Sequence, residues 1–195
     1  MPAEGSCCGR IKDVYFNDRT WTITHLLLRI GANRVAQQEV LAGSDQVARI
    51  CAQEGAVHFR LNSGSFTELP PSSSMLPVCK QYAALALGSR GARLIGDQFK
   101  SLNPNVRTAK AVIGYSIQAN GQCCGRLEDL IFDEKSFEIR YLAIGQLVAG
   151  KKLRFHIVPQ SVERFTWATQ RVVLRELQAV CLDAGQKEAT ISAAA

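Results

Sequence analysis

The chain of 195 residues has no long hydrophobic run. Its longest apolar stretches, around Tyr82–Gly88 and Tyr141–Gly150, are much shorter than the roughly 18 residues that a membrane-spanning helix needs. It also has no positively charged and then apolar opening segment, so we expect no membrane span and a cytoplasmic location. Hydrophobic residues make up 47%, which argues against disordered and collagen-like classes and favours a globular fold.

Motifs that carry catalysis are missing too. The sequence contains no Gly-rich phosphate loop, and its three histidines stand far apart, at His25, His58 and His156. Each lies in a predicted strand, where a structural role is more common than a catalytic one. Because no Ser–His–Asp or Cys–His arrangement can be assigned, we predict that the protein is not an enzyme and binds no cofactor.

Basic residues exceed acidic residues only mildly. The chain has 23 Lys and Arg against 17 Asp and Glu, and the net charge of +6 is spread along its length. The tightest basic group consists of Lys151, Lys152 and Arg154. Nucleic-acid-binding proteins usually carry a denser basic stripe with interleaved aromatic residues, so this pattern argues against a nucleic-acid partner. It favours a solvated surface, with an anionic partner as the alternative.

The cysteines number seven, and none of them form a Cys-x-x-Cys motif. An odd count without a secretion signal favours reduced thiols over a disulfide framework. Two pairs are adjacent in sequence, Cys7 with Cys8 and Cys123 with Cys124. If the fold brought both pairs together, four thiolates could bind a soft metal or form a disulfide. We favour small, partly buried turn residues without a metal, because most free cysteines behave as small hydrophobic residues.

The sequence contains an internal repeat. Residues 6–18 match residues 122–134 at an offset of 116, and both segments contain Cys-Cys-Gly-Arg. The match continues through residues 21–28 on 137–144 and resumes at an offset of 115, with 47–60 on 162–175. Solenoid repeats have periods of roughly 20–50 residues, so a period this long indicates two duplicated domains.

Each copy predicts short β-strands separated by turn residues. Polar and apolar residues alternate after Trp21 and after Phe137, but the alternation gives way to the apolar runs 26–28 and 142–144. This strand should therefore be buried on both faces at one end, under a barrel or under the other repeat. Short antiparallel strands with tight turns indicate a small barrel. The predicted strands cover residues 10–16, 21–30, 47–51 and 56–61, then 114–119, 126–132, 137–146, 152–158, 162–166 and 171–176.

The two copies differ at their start. The opening strand 114–119 of the second copy has no counterpart in the first, because an offset of 116 from Tyr115 falls before Met1. The first copy must borrow a strand, leave an edge open, or have lost residues to a misassigned start. An open edge invites pairing with other chains, so we expect part of Ala92–Phe99 or another chain to fill the gap.

The segment between the copies is rich in proline and serine at residues 70–74 and predicts one short helix at Val78–Leu87. We therefore divide the chain into four parts. They are a first repeat at 1–71, a linker with a short helix at 72–106, a second repeat at 107–184, and a tail at 185–195 that should fray.

The second copy resembles the PRC-barrel family. It contains Gly125-Arg126-Leu127-Glu128-Asp129, then Phe132-Asp133, Phe137-Glu138-Ile139-Arg140-Tyr141-Leu142 and Ile157-Val158-Pro159. The first copy is more diverged, with His25 in the position of the tyrosine. Known members include the cytoplasmic domain of the photosynthetic reaction centre H subunit and the C-terminal domain of the ribosome maturation factor RimM. The resemblance implies an all-β fold of two tandem PRC-type β-barrels with a short helical linker, used for protein contacts and without family-wide catalytic residues.

Arg10 and Arg126 occupy equivalent positions in the two copies. They could form a shared anion or carboxylate site, but we favour ion pairs with Asp13 and Asp129. The aromatic residues on the alternating strands could stack on nucleic-acid bases, but we favour the core for them, at Trp21, Phe137 and Tyr141. The residues that we expect to contact a partner are Arg10, Arg126, Lys151, Lys152 and Arg154.

From the absence of nucleophile–base and phosphate-binding patterns, we predict a non-catalytic protein that mediates protein–protein interaction or complex assembly, including a possible homo-oligomer. Two alternatives follow from the resemblance: an accessory factor of a photosynthetic or membrane electron-transfer complex, and a RimM-like factor associated with the ribosome or RNA. The sequence does not name the partner, because one fold serves many functions.

Overall fold

The computed structural model describes residues 9–31, 37–62, 64–88 and 102–175, together with the strand segments Ala179–Val180 and Ala189–Thr190. Over these residues the protein is mostly β-strand with short helices, which confirms the predicted all-β class. No helix in the described part of the chain has both the length and the hydropathy to cross a membrane.

The first repeat supplies five strands: β1 (Gly9–Asn17), β2 (Thr22–Ile30), β3 (Gln38–Gly43), β4 (Val47–Cys51) and β5 (Ala56–Phe59). The linker follows with helix α1 (Val78–Ala86). Strand β6 (Val106–Thr108) spans the boundary between the linker and the second repeat, which opens with helix α2 (Ala109–Val112). The second repeat supplies β7 (Ser116–Ala119), β8 (Gln122–Phe132), β9 (Ile139–Val148), β10 (Lys151–Ile157), β11 (Val162–Thr166) and β12 (Arg171–Leu174). Two short strands end the chain, β13 (Ala179–Val180) and β14 (Ala189–Thr190).

The duplication extends to irregularities of the strands. The pairing of β1 with β2 shifts register at Ile11/Asp13, and the pairing of β8 with β9 shifts at the equivalent Leu127/Asp129. A β-bulge inserts one extra residue and bends the strand, so equivalent bulges impose the same curvature on both repeats. In each copy the aspartate at the bulge accepts the backbone N–H of the next residue.

The turn after the first long strand is built the same way in both repeats. The Oδ1 atoms of Asn17 and Asp133 each accept two backbone N–H groups of the turn. The aromatic residue that closes the turn has a positive φ in both copies, 56° at Trp21 and 57° at Phe137. Each stacks on the phenylalanine five residues earlier, with ring centroids 6.1 Å apart.

In each repeat, a glycine lies at a close contact between two strands, β1 with β2 in the first repeat and β8 with β9 in the second. A Cβ added to Gly125 would lie 2.6 Å from the carbonyl oxygen of Gly145, and one added to Gly9 would overlap that of the equivalent Arg29. Gly125 also has a φ of +140°, which side chains with a Cβ rarely adopt. The close approach of the two strand backbones therefore requires glycine, without a Cβ, at the first position of the Gly-Arg motif.

Strand β7 makes the two repeats differ in sheet organisation. It pairs in parallel with β12 and antiparallel with β8, and so joins them in an eight-stranded sheet of order β11-β12-β7-β8-β9-β10-β13, with β14 on β8. The parallel pairing corrects our expectation of antiparallel strands alone. In the described part of the first repeat, which has no counterpart of β7, β4 and β5 form a separate two-stranded sheet.

Strand β6 covers part of the edge that we expected to be filled. It pairs antiparallel with Tyr15–Asn17 of β1 and completes a four-stranded sheet of order β3-β2-β1-β6. Strand β14, within the tail that we expected to fray, pairs with the equivalent end of β8 at Ile131 and Phe132. The segment after each repeat therefore returns to the same position on its sheet. Residues 92–99, the segment predicted to fill the gap, lie outside the described residues.

The main core belongs to both repeats. Trp21 and Ile23 of the first repeat pack in one buried cluster with Ile139, Leu142 and Phe165 of the second. A smaller core lies within the first repeat, and Phe66, from the part of the repeat that follows β5, packs there. The runs 26–28 and 142–144 are buried throughout, which confirms burial on both faces. The duplicated units therefore share the apolar surface that units of this size need for stability.

The described strands form open sheets. No pairing among the described residues joins the two ends of any of the three sheets, so the closed barrels that the resemblance implies are not observed. The predicted helix at 78–87 is confirmed as α1. The buried Gln81 of this helix donates through Nε2 to the carbonyl oxygens of Leu76 and Asn103, and so links α1 to the chain before β6.

Candidate functional site

The basic group predicted to contact a partner lies on the hairpin of β9 and β10. Val148 pairs with Lys151 across a two-residue turn, Ala149-Gly150, in which both residues have positive φ, 49° and 78°. Such a turn matches the twist of the two strands and lets them continue as a tight hairpin. Strand β10 therefore carries Lys151 on one face of the hairpin and Lys152 and Arg154 on the other.

The same hairpin carries exposed hydrophobic side chains. Leu147 is 75% exposed, Val148 44% and Leu153 49%. Side chains alternate between the two faces along a strand, and directly opposed residues share a face. Leu153 lies opposite Gln146, so Val148 and Leu153 lie on the same face as the fully buried Ile144. The apolar face of the core thus continues beyond the core into solvent. We call the exposed end of this hairpin the hairpin surface: Val148, Lys151 and Leu153 lie on the core face, and Leu147 and Lys152 lie on the opposite face.

The opposite face of this hairpin carries an ion network. Glu128 on β8 contacts Lys152, with Nζ and Oε1 2.7 Å apart, and its other oxygen lies 3.7 Å from Nε of Arg154. Arg154 also lies 3.6 Å from Asp129, whose pKa is raised by burial. The Glu128 side chain crosses β9 over Gly145, where a Cβ would overlap it. Lys152 and Arg154, which we predicted to contact a partner, therefore already form ion contacts within the chain.

The equivalent arginines have different neighbours in the two repeats. Arg126 donates through its guanidinium to the carbonyl oxygen of Gly114 at 3.0 Å, whereas Arg10 lies opposite Arg29 on β2. The ion pairs that we favoured, with Asp13 and Asp129, are absent from the described residues, so that interpretation is wrong. Asp13 accepts backbone N–H groups, and the cation nearest Asp129 is Arg154.

The second cysteine pair lies in β8, directly after the hairpin turn. Cys123 is exposed, Cys124 is half-buried, and both are free thiols. Cys7 and Cys8 lie outside the described residues, so the four-thiol hypothesis stays a prediction. Among the residues that the structure does describe, no group of three or more His, Cys, Asp or Glu side chains is arranged to hold a metal ion.

The three histidines lie on strands, as expected, but their environments differ. His58 is half-buried and contacts Glu54 and Arg49, and His156 packs edge-to-face on Tyr141. The Nδ1 atom of His25 is buried without a hydrogen-bond partner in the described chain, and burial lowers the pKa of this imidazole. Of the three aromatic residues that we favoured for the core, Trp21 is buried, while Phe137 and Tyr141 are half-buried.

Sequence reasoning did not identify a cleft of about 620 Å³ between the two repeats. Strand β2 and the start of β9 meet there by backbone hydrogen bonds, from Ile23 N to Phe137 O at 2.8 Å and from Ile139 N to Trp21 O at 2.7 Å. We call this space the inter-repeat cleft, and the side chains that line it include Asp18, Arg19, Trp21, Arg107, Phe165 and Arg175.

A buried ion pair forms one wall of the inter-repeat cleft. Arg107 of β6 donates through Nε to Oδ2 of Asp18 at 2.6 Å, and both side chains are only 13% exposed. The guanidinium carbon of Arg107 lies 5.4 Å from the ring centroid of Phe165. Burial raises the pKa of Asp18, while Arg107 opposes this shift. No local sequence motif indicates the cleft, because the residues that form its walls come from both repeats and the linker.

No known protein-family model matches this chain. No curated protein shows significant sequence similarity to it. The arrangement of the described residues therefore carries the functional conclusion. It offers two places for binding, the hairpin surface and the inter-repeat cleft.

Proposed function

We propose that this protein is a non-catalytic, two-repeat module of the PRC-barrel type that binds another protein through the hairpin surface. The observation that carries the proposal is the continuation of the core face into solvent at Val148 and Leu153. Full burial of one such side chain contributes roughly 1.5–3 kcal/mol, so a partner that covers this face gains a substantial apolar contact.

Charge defines the chemistry of the partner. Lys151 and Lys152 flank the apolar side chains at the tip of the hairpin, and Lys152 remains mostly exposed despite its contact with Glu128. Cations around an apolar patch steer a partner whose own apolar patch is surrounded by carboxylates. The expected partner is thus a protein with an acidic rim, and its identity would distinguish an electron-transfer complex from a ribosomal one.

Affinity capture followed by mass spectrometry tests this proposal. Wild-type bait is compared with Val148→Ser and Leu153→Ser, whose side chains lie on the core face, and the matched control is Leu87→Ser, which removes a comparably exposed leucine just after α1. We expect one partner to be retained by wild type and by Leu87→Ser and lost from both hairpin variants. A partner that is captured equally by all four proteins, or lost equally from all three variants, contradicts the proposal.

A further inference from the structure

We propose that the inter-repeat cleft binds a small organic anion through a phosphate or carboxylate group. Its volume of about 620 Å³ falls within the range of about 300–1,000 Å³ for small-molecule sites. The inference is independent of the hairpin surface, because none of the residues that define that surface lines the cleft.

The charges that line the cleft leave two arginines available. Asp18 pairs with Arg107, Glu163 pairs with Arg164, and Glu138 pairs with Arg140 outside the cleft. Arg19 and Arg175 also line the cleft, and the structure records no acidic partner for either within the part of the chain it describes.

Two arginines that line one cleft, and that have no carboxylate partner among the described residues, favour an anion over a neutral or cationic ligand. Arginine presents a planar set of N–H donors that matches the oxygen atoms of phosphate and carboxylate groups. Arg19 and Arg175 are the primary ligands in this proposal.

Arg107 is the third cation of the site and is already fixed in place. Its Nε is committed to Asp18 and its guanidinium packs on Phe165, so it does not have to be ordered when an anion enters. The Asp18 carboxylate competes with the incoming anion for this guanidinium. Removing the charge of Asp18 should therefore strengthen anion binding, whereas removing Arg19 or Arg175 should weaken it.

Isothermal titration at constant ionic strength tests the site, with inorganic pyrophosphate and succinate as the two probes. The full chain is compared with Arg19→Gln and Arg175→Gln, and the matched control is Arg171→Gln, which removes the same charge from an exposed arginine of β12 outside the cleft. We expect each cleft variant to bind the preferred probe at least about tenfold more weakly, while the control binds like wild type. The stronger of the two probes identifies the anionic group.

A variant that should bind the anion more tightly, not more weakly, completes the test. Asp18→Asn keeps the shape of the side chain and removes its charge, and we expect it to bind the preferred probe several-fold more tightly. The proposal is overturned if wild type shows no saturable binding of either probe, or if Arg171→Gln weakens binding as much as the cleft variants. It is also overturned if folded Asp18→Asn, checked by circular dichroism, binds more weakly than wild type.

Discussion

Ile23 and Ile139 occupy equivalent positions in the two repeats. Each donates its backbone N–H to an aromatic residue of the other repeat, two positions before the equivalent isoleucine. Ile23 donates to the carbonyl oxygen of Phe137, and Ile139 donates to that of Trp21. Such a reciprocal contact is what a two-fold symmetric dimer of identical subunits forms. The two repeats thus meet as the halves of a dimer, within one chain.

The shared core predicts that both repeats unfold in one transition. The chain has only two tryptophans, Trp21 in the first repeat and Trp167 in the second, and both contribute to the same core cluster. Trp21→Phe therefore leaves a probe of the second repeat, and Trp167→Phe leaves a probe of the first. Within each variant, we expect the midpoint of urea denaturation by fluorescence to coincide with the midpoint by far-ultraviolet circular dichroism. Midpoints that separate in either variant would show that the repeats unfold independently.

The two equivalent turns predict a specific effect of acid. The Ser136 and Lys135 N–H groups, with the Ser136 hydroxyl, lower the pKa of Asp133, whereas Asn17 makes the same kind of turn without titrating. A carboxyl whose pKa is lowered by folding stabilises the protein above its unfolded pKa, and this stabilisation is lost as the pH falls through the folded pKa. We expect Asp133→Asn to unfold at nearly the wild-type urea midpoint at pH 7.

Below the ordinary pKa of aspartate, near pH 3.9, the stability of wild type should decline more steeply than that of Asp133→Asn. The comparison is made by urea denaturation across the acid range. Glu134→Gln is the matched control, because it removes a neighbouring exposed carboxyl for which the structure records no turn hydrogen bond. Parallel declines for wild type and Asp133→Asn would contradict the role of this carboxylate.

Two neighbouring glycines, Gly125 on β8 and Gly145 on β9, should respond differently to the same substitution. In Gly125→Ala the new methyl group meets the backbone carbonyl oxygen of Gly145 at a positive φ, and neither can move without disturbing the strands. In Gly145→Ala the methyl group meets only the flexible end of Glu128, which can swing into solvent. We expect Gly125→Ala to lower the free energy of unfolding by more than about 1 kcal/mol, because of the left-handed backbone alone.

Gly145→Ala should cost less than about 1 kcal/mol, since it breaks an ion pair whose lysine is exposed. Urea denaturation of both variants, extrapolated to water, measures the difference. Equal losses of stability in the two variants would show that the position of Glu128 is as rigid as the backbone.

Much of the local structure was predictable, because it depends on residues close together in sequence. The strands β4 and β11 begin and end at the predicted residues, and helix α1 is one residue shorter than expected. The predicted cations are indeed grouped on one hairpin, but pairing of Lys152 with Glu128 could not be inferred, because it requires a glycine on the strand between them. The sequence also gave no sign that Asp129 would face Arg154 rather than Arg126.

By itself, the sequence determined the duplication, the all-β class and the chemistry of the turns, because these are carried by residue spacing and by contacts within a few residues. Only the tertiary structure decided that β6 returns to the first sheet and that Arg107 meets Asp18, 89 residues earlier in the chain. Contacts over such distances leave no period or motif, because they depend on how two separately encoded surfaces pack. The inter-repeat cleft, which exists only where those surfaces meet, could therefore not be read from either repeat alone.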